Sequence, residues 1–260
     1  MTALAALAAT GLGLVVLAVL TRRPALCAVP SLDGYFGDWS ALHGGYDPRT
    51  GSRVLRGWLT GVYRVCRPLA RAGVQPDVLT LVGAWGVAAA AVVAGLGDGG
   101  HVYDSGPFWA SWTLFAAALL DNLDGCVAIL TGRTTAWGYV LDSVVDRVCD
   151  GLGVLALWAA GAPVWTCVAA GSALGLLEYA RARAVGAGMT EVGRLTLGER
   201  PNRITANCLG LFTAGLFSGH AALCAGLGAG AVLGLSVVGL GQLTLVVRRR
   251  LVREPSAGPG

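Results

Sequence analysis

Apolar residues run along this chain in long stretches broken by short polar ones. Crossing a roughly 30 Å hydrocarbon core takes about 20 helical residues, and runs of about that length recur from end to end. The pattern predicts seven spanning helices: Ala3 to Leu20, Pro76 to Leu96, Pro107 into the stretch DNLDG, Trp137 to Ala160, Pro163 to Ala182, Pro201 to Ser218, and Ala221 to Val246. Proline opens four of them, where its locked φ and missing N–H suit a first helical turn. No basic residue precedes the first run, so it lacks the charged start of a cleaved secretory signal and reads as a retained helix.

Between the first two spans the period changes. Leu55, Trp58, Leu59, Val62, Cys66 and Leu69 recur at helical spacing, with Arg53, Arg56, Arg64, Arg67 and Arg71 along the opposite face. This predicts an amphipathic helix in the membrane interface with its arginines toward anionic lipid. The preceding stretch, SLDGYFGDWSALHGGYDPRTG, is polar and glycine-rich and reads as irregular.

Composition agrees: the 260 residues are 55% hydrophobic and 13% charged, with a mean hydropathy of +0.64, outside the range of soluble globular domains. All 19 basic residues are arginine. Except for Arg147, inside a helix, they fall on one side of the seven-helix arrangement, and the connections 97–106, 160–162 and 219–220 carry none. By the positive-inside rule the arginine side is cytoplasmic and the N-terminus outside. The net charge of +4 is therefore a topology signal, which suits anionic lipid headgroups and not nucleic acid. The 7 cysteines form no C-x-x-C pair, and His43, His101 and His220 lie far apart. Small buried thiols are the expectation, with no histidine-based zinc site or triad.

Against this background four carboxylates stand out. Asp121 lies fourteen residues after Pro107, about 21 Å along a helix crossing the roughly 30 Å core. Asp142 and Asp146 enter the returning helix to a comparable depth. Asp121 and Asp124 are three apart, Asp142 and Asp146 four apart, so each pair shares a helix face; Gly138 and Asp150 continue the second stripe. An intramembrane carboxylate costs about 2.5 kcal/mol or more unless paired, wetted or metal-bound. Several in one place call for a divalent cation, and an all-oxygen set suits Mg²⁺ or Mn²⁺. Gly125 and Ala128 leave the first face without bulk, which suits either a ligand or close helix packing. The whole pattern is D-x2-D-G-x2-A-x9-G-x3-D-x3-D.

This pattern resembles the signature of the CDP-alcohol phosphatidyltransferases, D-x2-D-G-x2-A-R-x8-G-x3-D-x3-D, with Ile129 in place of the arginine. The resemblance implies an all-α polytopic membrane protein: a six-helix catalytic domain at 76–246, an extra N-terminal transmembrane helix at 1–21, a cytoplasmic loop with the amphipathic helix at 22–75, and a basic tail at 247–260. It implies transfer of a phosphatidyl group from CDP-diacylglycerol to an alcohol with release of CMP. Asp121, Asp124, Asp142 and Asp146 would be ligands of two Mg²⁺ or Mn²⁺ ions, with Asp146 also the general base. Gly125, Ala128 and Gly138 would floor the cytidine site. Arg133, one turn beyond Ile129 if the helix continues, is a candidate replacement cation there. A homodimer in the plasma membrane, with its site on the cytoplasmic side, is also implied.

VQPDVLTLVG, DRVCDG, YARARAVGAG and GERPNR resemble stretches of the bacterial phosphatidylinositol-phosphate synthases, whose acceptor is inositol phosphate. The resemblance assigns Arg181, Arg183, Arg200 and Arg203 to an anion pocket for the acceptor, a role that guanidinium forks suit. Glu178 departs from the pattern: it either pairs with an arginine or selects a less anionic acceptor. The alternative is the same chemistry with glycerol 3-phosphate or another alcohol as acceptor. Two readings of other classes are a cation-handling membrane protein, since intramembrane carboxylates often line ion paths, and an inactive lipid-binding homologue, to which Ile129 points.

Overall fold

The apolar runs do fold as helices. The computed structural model describes residues 2–96, 105–189 and 196–251, and its helices are α1 (Thr2–Leu20), α2 (Leu32–Leu42), α3 (Arg53–Arg71), α4 (Pro76–Ala94), α5 (Gly106–Thr131), α6 (Ala136–Ala159), α7 (Val164–Gly186), α8 (Arg200–Leu216) and α9 (Ala221–Leu251). His101, Arg194 and Arg253 lie outside the described residues, as do most of the 97–106 connection and of the basic tail. The six helices α4–α9 correspond to the expected core, with α1 ahead of them.

Among the described residues, three helices are long and apolar enough to cross a membrane: Pro76–Ala94, Gly106–Thr131 and Ser218–Leu251. The other expected spans fall short for identifiable reasons. Of α1, a helix of 19 residues, Leu7–Leu20 is the apolar stretch among the described residues. Helices α6, α7 and α8 carry Asp, Glu and Arg residues, among them Asp142, Asp146, Glu178, Arg181 and Arg203, which lower their hydropathy, and α8 has 17 residues. Trp109, Trp112, Trp158 and Trp165 are exposed close to helix ends, as in an interfacial aromatic belt.

The chain forms two compact units: residues 1–86 with 116–148, and 87–115 with 149–260. In the first, α2 overturns the expectation of an irregular stretch. Ser31 Oγ accepts the Gly34 N–H at 3.2 Å, an N-cap that satisfies an otherwise orphaned donor. Leu32, Tyr35, Phe36 and Trp39 then recur at i, i+3, i+4 and i+7, a stripe that the glycines obscured. Tyr35 and Phe36 are buried in a cluster with Leu59, Val62, Tyr63 and Cys66 of α3 and Cys126, Val127 and Leu130 of α5. The apolar face of α3 is therefore spent on protein, while its arginines stay exposed. Burial also pushes the Tyr35 hydroxyl above its ordinary pKa, so it stays protonated at neutral pH.

Helix α1 is held against α4, where the Trp85 indole donates to Thr10 Oγ1 at 3.0 Å. Helix α5 ends abruptly. Gly132 takes φ +68°, its N–H bonds Ile129 O at 3.2 Å, and the Arg133 N–H bonds Ala128 O at 2.8 Å, a glycine-dependent C-cap. Thr135 Oγ1 then accepts the Gly138 N–H at 3.0 Å and starts α6. The short turn sends α6 back along α5, which is what sets the two aspartate pairs face to face.

In the second unit α9 packs with α7 and α8. Gly210 of α8 and Gly228 of α9 meet so closely that a Cβ on either would lie 2.8 Å from the other's Cα, a small-residue crossing of the kind that brings membrane helices together. Gly198, just before α8, is likewise wedged between Leu177 and Gly239, and this fixes the segment that carries Glu199.

Gly132→Ala should destabilise the protein by about 1 kcal/mol, the cost of a left-handed conformation for a residue with a Cβ. A lower midpoint of thermal unfolding in detergent is the expected result; an unchanged midpoint would show that α5 can end without a positive φ.

Candidate active site

Asp121 on α5 and Asp142 and Asp146 on α6 offer carboxylate oxygens that all lie within 4.8 Å of one another. Asp121 and Asp146 are half-buried. Arg147 Nη2 lies 3.7 Å from Asp146 Oδ2, but three carboxylates this close still repel one another, and an oxygen-only donor set fits a hard divalent cation. The expected cation site is thus consistent with the residues present.

The fourth signature carboxylate, Asp124, faces a different partner. It is 7% exposed, and its Oδ2 accepts the Thr80 hydroxyl at 2.5 Å while its Oδ1 accepts the Gly125 N–H at 2.6 Å. Thr80 was not singled out from the sequence. Its signal was weak: one hydroxyl in the apolar helix α4, one turn after Pro76. Nearby, an added Cβ on Gly83 of α4 would touch Ala117 O at 3.6 Å and Asp121 N at 3.8 Å. Close packing of α4 on α5 therefore sets the backbone that carries Asp121.

The positions expected to floor the nucleotide site are open to different degrees. An added Cβ on Gly125 would meet nothing within 4 Å, and one on Gly138 would meet only Thr135 Oγ1, at 3.3 Å. Ala128 is half-buried. Ile129, which stands where the signature has arginine, packs against the cluster around Tyr35 and Phe36. Its side chain is used to seat α2 and α3 on α5.

The placement of Arg133 one helical turn beyond Ile129 is corrected, because α5 ends at Thr131 and Gly132 turns the chain away. The Arg133 guanidinium donates instead to Pro24 O at 2.7 Å. Beside it, the Leu26 N–H donates to Thr131 O at 2.9 Å, so the segment after α1 is stitched to the end of α5.

The expected acceptor residues lie in the second unit. Arg203 of α8 is fully buried; its Nη1 donates to Glu178 Oε1 at 2.8 Å and its Nη2 to Asp150 Oδ2 at 3.3 Å. Arg181 lies 3.6 Å from Glu178 Oε1 and donates to Glu199 Oε1 at 3.0 Å and to Thr196 Oγ1 at 3.3 Å. Glu178 therefore pairs with both Arg203 and Arg181. Arg200 is half-buried and Arg183 exposed. Asp150, Thr196 and Glu199 complete this network. Asp150 had a sequence signal in its place on the stripe after Asp146, and Glu199 lies within the stretch GERPNR; Thr196 had none.

The profile of the CDP-alcohol phosphatidyltransferase family matches residues 74–238. The phosphatidylinositol phosphate synthase of Streptomyces avermitilis is 34% identical over 227 residues, covering 81% of this chain and 87% of that protein. The crystal structure of the Mycobacterium tuberculosis phosphatidylinositol phosphate synthase with CDP-DAG bound has the same fold, with a TM-score of 0.61 at 23% identity over 76% of this chain and 98% of that one. The same enzyme in complex with manganese and citrate gives a TM-score of 0.61 at 24% identity, over 76% of this chain and 95% of that one.

Two substitutions test the geometry. Asp142→Asn should weaken Mn²⁺ binding at least tenfold in calorimetry, because it removes a charged ligand from a three-carboxylate set; unchanged affinity would place the cation elsewhere. Ile129→Arg should lower thermal stability, since it puts a charge against an apolar cluster. A variant as stable as the parent would show that the position opens to solvent.

Proposed function

This chain belongs to the CDP-alcohol phosphatidyltransferase family, and we propose that it transfers the phosphatidyl group of CDP-diacylglycerol to a hydroxyl of a phosphorylated polyol, inositol phosphate ahead of glycerol 3-phosphate. The observation that carries this reading is the convergence of Asp121, Asp142 and Asp146 within the family signature. The similarity to phosphatidylinositol phosphate synthases supports the acceptor.

In this reading Asp121, Asp124, Asp142 and Asp146 hold two divalent cations, Mg²⁺ or Mn²⁺, which when bound neutralise the donor diphosphate and stabilise the leaving phosphate. Asp146 takes the proton from the acceptor hydroxyl as its oxygen bonds to the phosphatidyl phosphorus. The bond from that phosphorus to the bridging oxygen breaks, and CMP leaves with the electron pair. Thr80 holds the Asp124 carboxylate through its hydroxyl, which limits that side chain's freedom to turn away. Gly125, Ala128 and Gly138 admit the cytidine side of the donor because they present no bulk. Arg181, Arg183, Arg200 and Arg203, with Glu178 among them, form the acceptor pocket.

The location we propose is the plasma membrane, with the site on the cytoplasmic side where the arginines concentrate and where a soluble polyol phosphate and a membrane-bound donor can meet. The assembly we propose is a homodimer.

Purified protein supplied with CDP-diacylglycerol, Mg²⁺ or Mn²⁺ and inositol phosphate should release CMP. Asp146→Asn should slow that release by about 100-fold or more, the usual contribution of a positioned general base. No CMP with any alcohol tested would remove the transferase reading in favour of a lipid-binding homologue. Normal turnover by the Asn variant would reassign the base.

A further inference from the structure

The acceptor reading leaves Glu178 unexplained, because a carboxylate in an anion pocket opposes its ligand. The geometry points to a specific role: we propose that Glu178 is an internal anion that occupies the acceptor phosphate's place on Arg203 and Arg181, and that a dianionic phosphomonoester displaces it on binding. The inference rests on the acceptor reading above.

Arg203 has a side chain only 1% exposed, with Asp150 on one nitrogen at 3.3 Å and Glu178 on the other at 2.8 Å. A buried guanidinium stripped of a partner is strongly unfavourable, so without acceptor something anionic has to stand there. The Asp150 side chain is 5% exposed and sealed in. Glu178 is 12% exposed and also reaches Arg181 at 3.6 Å, so it bridges both cations and is the more accessible of Arg203's two carboxylates. On its far side Arg181 is gripped by Glu199 Oε1 at 3.0 Å and Oε2 at 3.5 Å, and Thr196 Oγ1 donates to Glu199 Oε1 at 2.8 Å. Both guanidinium groups are thus clamped from behind by Asp150 and Glu199, with Glu178 bridging between them.

Asp150, Glu178 and Glu199 already meet the charges of Arg203 and Arg181, so a weak anion gains little by displacing one of them. A phosphomonoester brings about −1.5 to −2 charge and three acceptor oxygens. It replaces Glu178 oxygen for oxygen and keeps Arg203 paired. A neutral polyol or a singly charged diester offers less than the carboxylate it must remove. Glu178 is therefore a positioning residue that keeps the arginines aligned in the empty pocket and sets a charge threshold for the acceptor.

The test is Glu178→Gln, which keeps the size and removes the competing charge. The KM for inositol phosphate is expected to fall about tenfold, the scale of one charge-assisted hydrogen bond, with kcat within about twofold. Inorganic phosphate, measured by calorimetry without turnover, is expected to bind tighter by a similar factor. Glu178→Asp, which keeps the charge, is expected to bind phosphate like the parent; Glu178→Ser serves in place of the Gln variant if that does not fold. If the neutral variant leaves KM and phosphate affinity unchanged or weaker while Arg181→Ala raises KM, the displacement idea is overturned and the acceptor pocket stands. If Arg181→Ala changes neither, the pocket reading itself fails. Faster turnover by the parent with unphosphorylated inositol than with inositol phosphate would also overturn the proposal, making Glu178 a selector for a neutral acceptor.

Discussion

An ionised side chain surrounded by apolar helix is tolerable only if its charge is met where it stands, and this constraint organises the protein. Isolated charges at membrane depth cost several kcal/mol, so a chain that keeps aspartates and arginines there has to build their partners nearby. It does so in two ways. Around Asp121, Asp142 and Asp146 three carboxylates face one another, with Arg147 3.7 Å from Asp146, an arrangement that suits an added cation. Around Arg203 the charges are met internally, by Asp150 and Glu178. One collects charge for a ligand, and the other balances it in advance.

Both arrangements depend on tight local backbone. The carboxylate cluster exists because Gly132 ends α5 and Thr135 starts α6 within a few residues, so that two aspartate stripes run antiparallel at similar depth. Gly83 lets α4 approach α5 beside Asp121, and Thr80 from the same helix fastens Asp124. The arginine network relies on Gly198, whose missing side chain lets the segment bearing Glu199 press between Leu177 and Gly239. Small residues thus set the distances at which the charges interact.

The substitution at Ile129 fits the same logic. Where the family signature carries a cation, this chain has an apolar side chain that seats α2 and α3 against α5. An arginine there would need its own partner; an isoleucine adds to a core. On the other side of this cluster, the apolar stripe of α3 is buried on protein while its arginines stay exposed.

What the sequence by itself determined are the features set by local periodicity and fixed spacing. The helices α4 to α9 and the amphipathic period of α3 follow from 3.6-residue geometry and the thickness of a bilayer, so they were legible without contacts. Helix α2 was legible in principle, but its glycines outweighed a four-residue stripe. Only the tertiary structure decided which charges meet. That Thr80 takes Asp124, that Glu178 bridges Arg203 and Arg181, and that Arg133 turns to Pro24 depend on how helices distant in sequence lie side by side. Side-chain pairing falls off within a few ångströms, and no pattern along a single helix records what stands across from it.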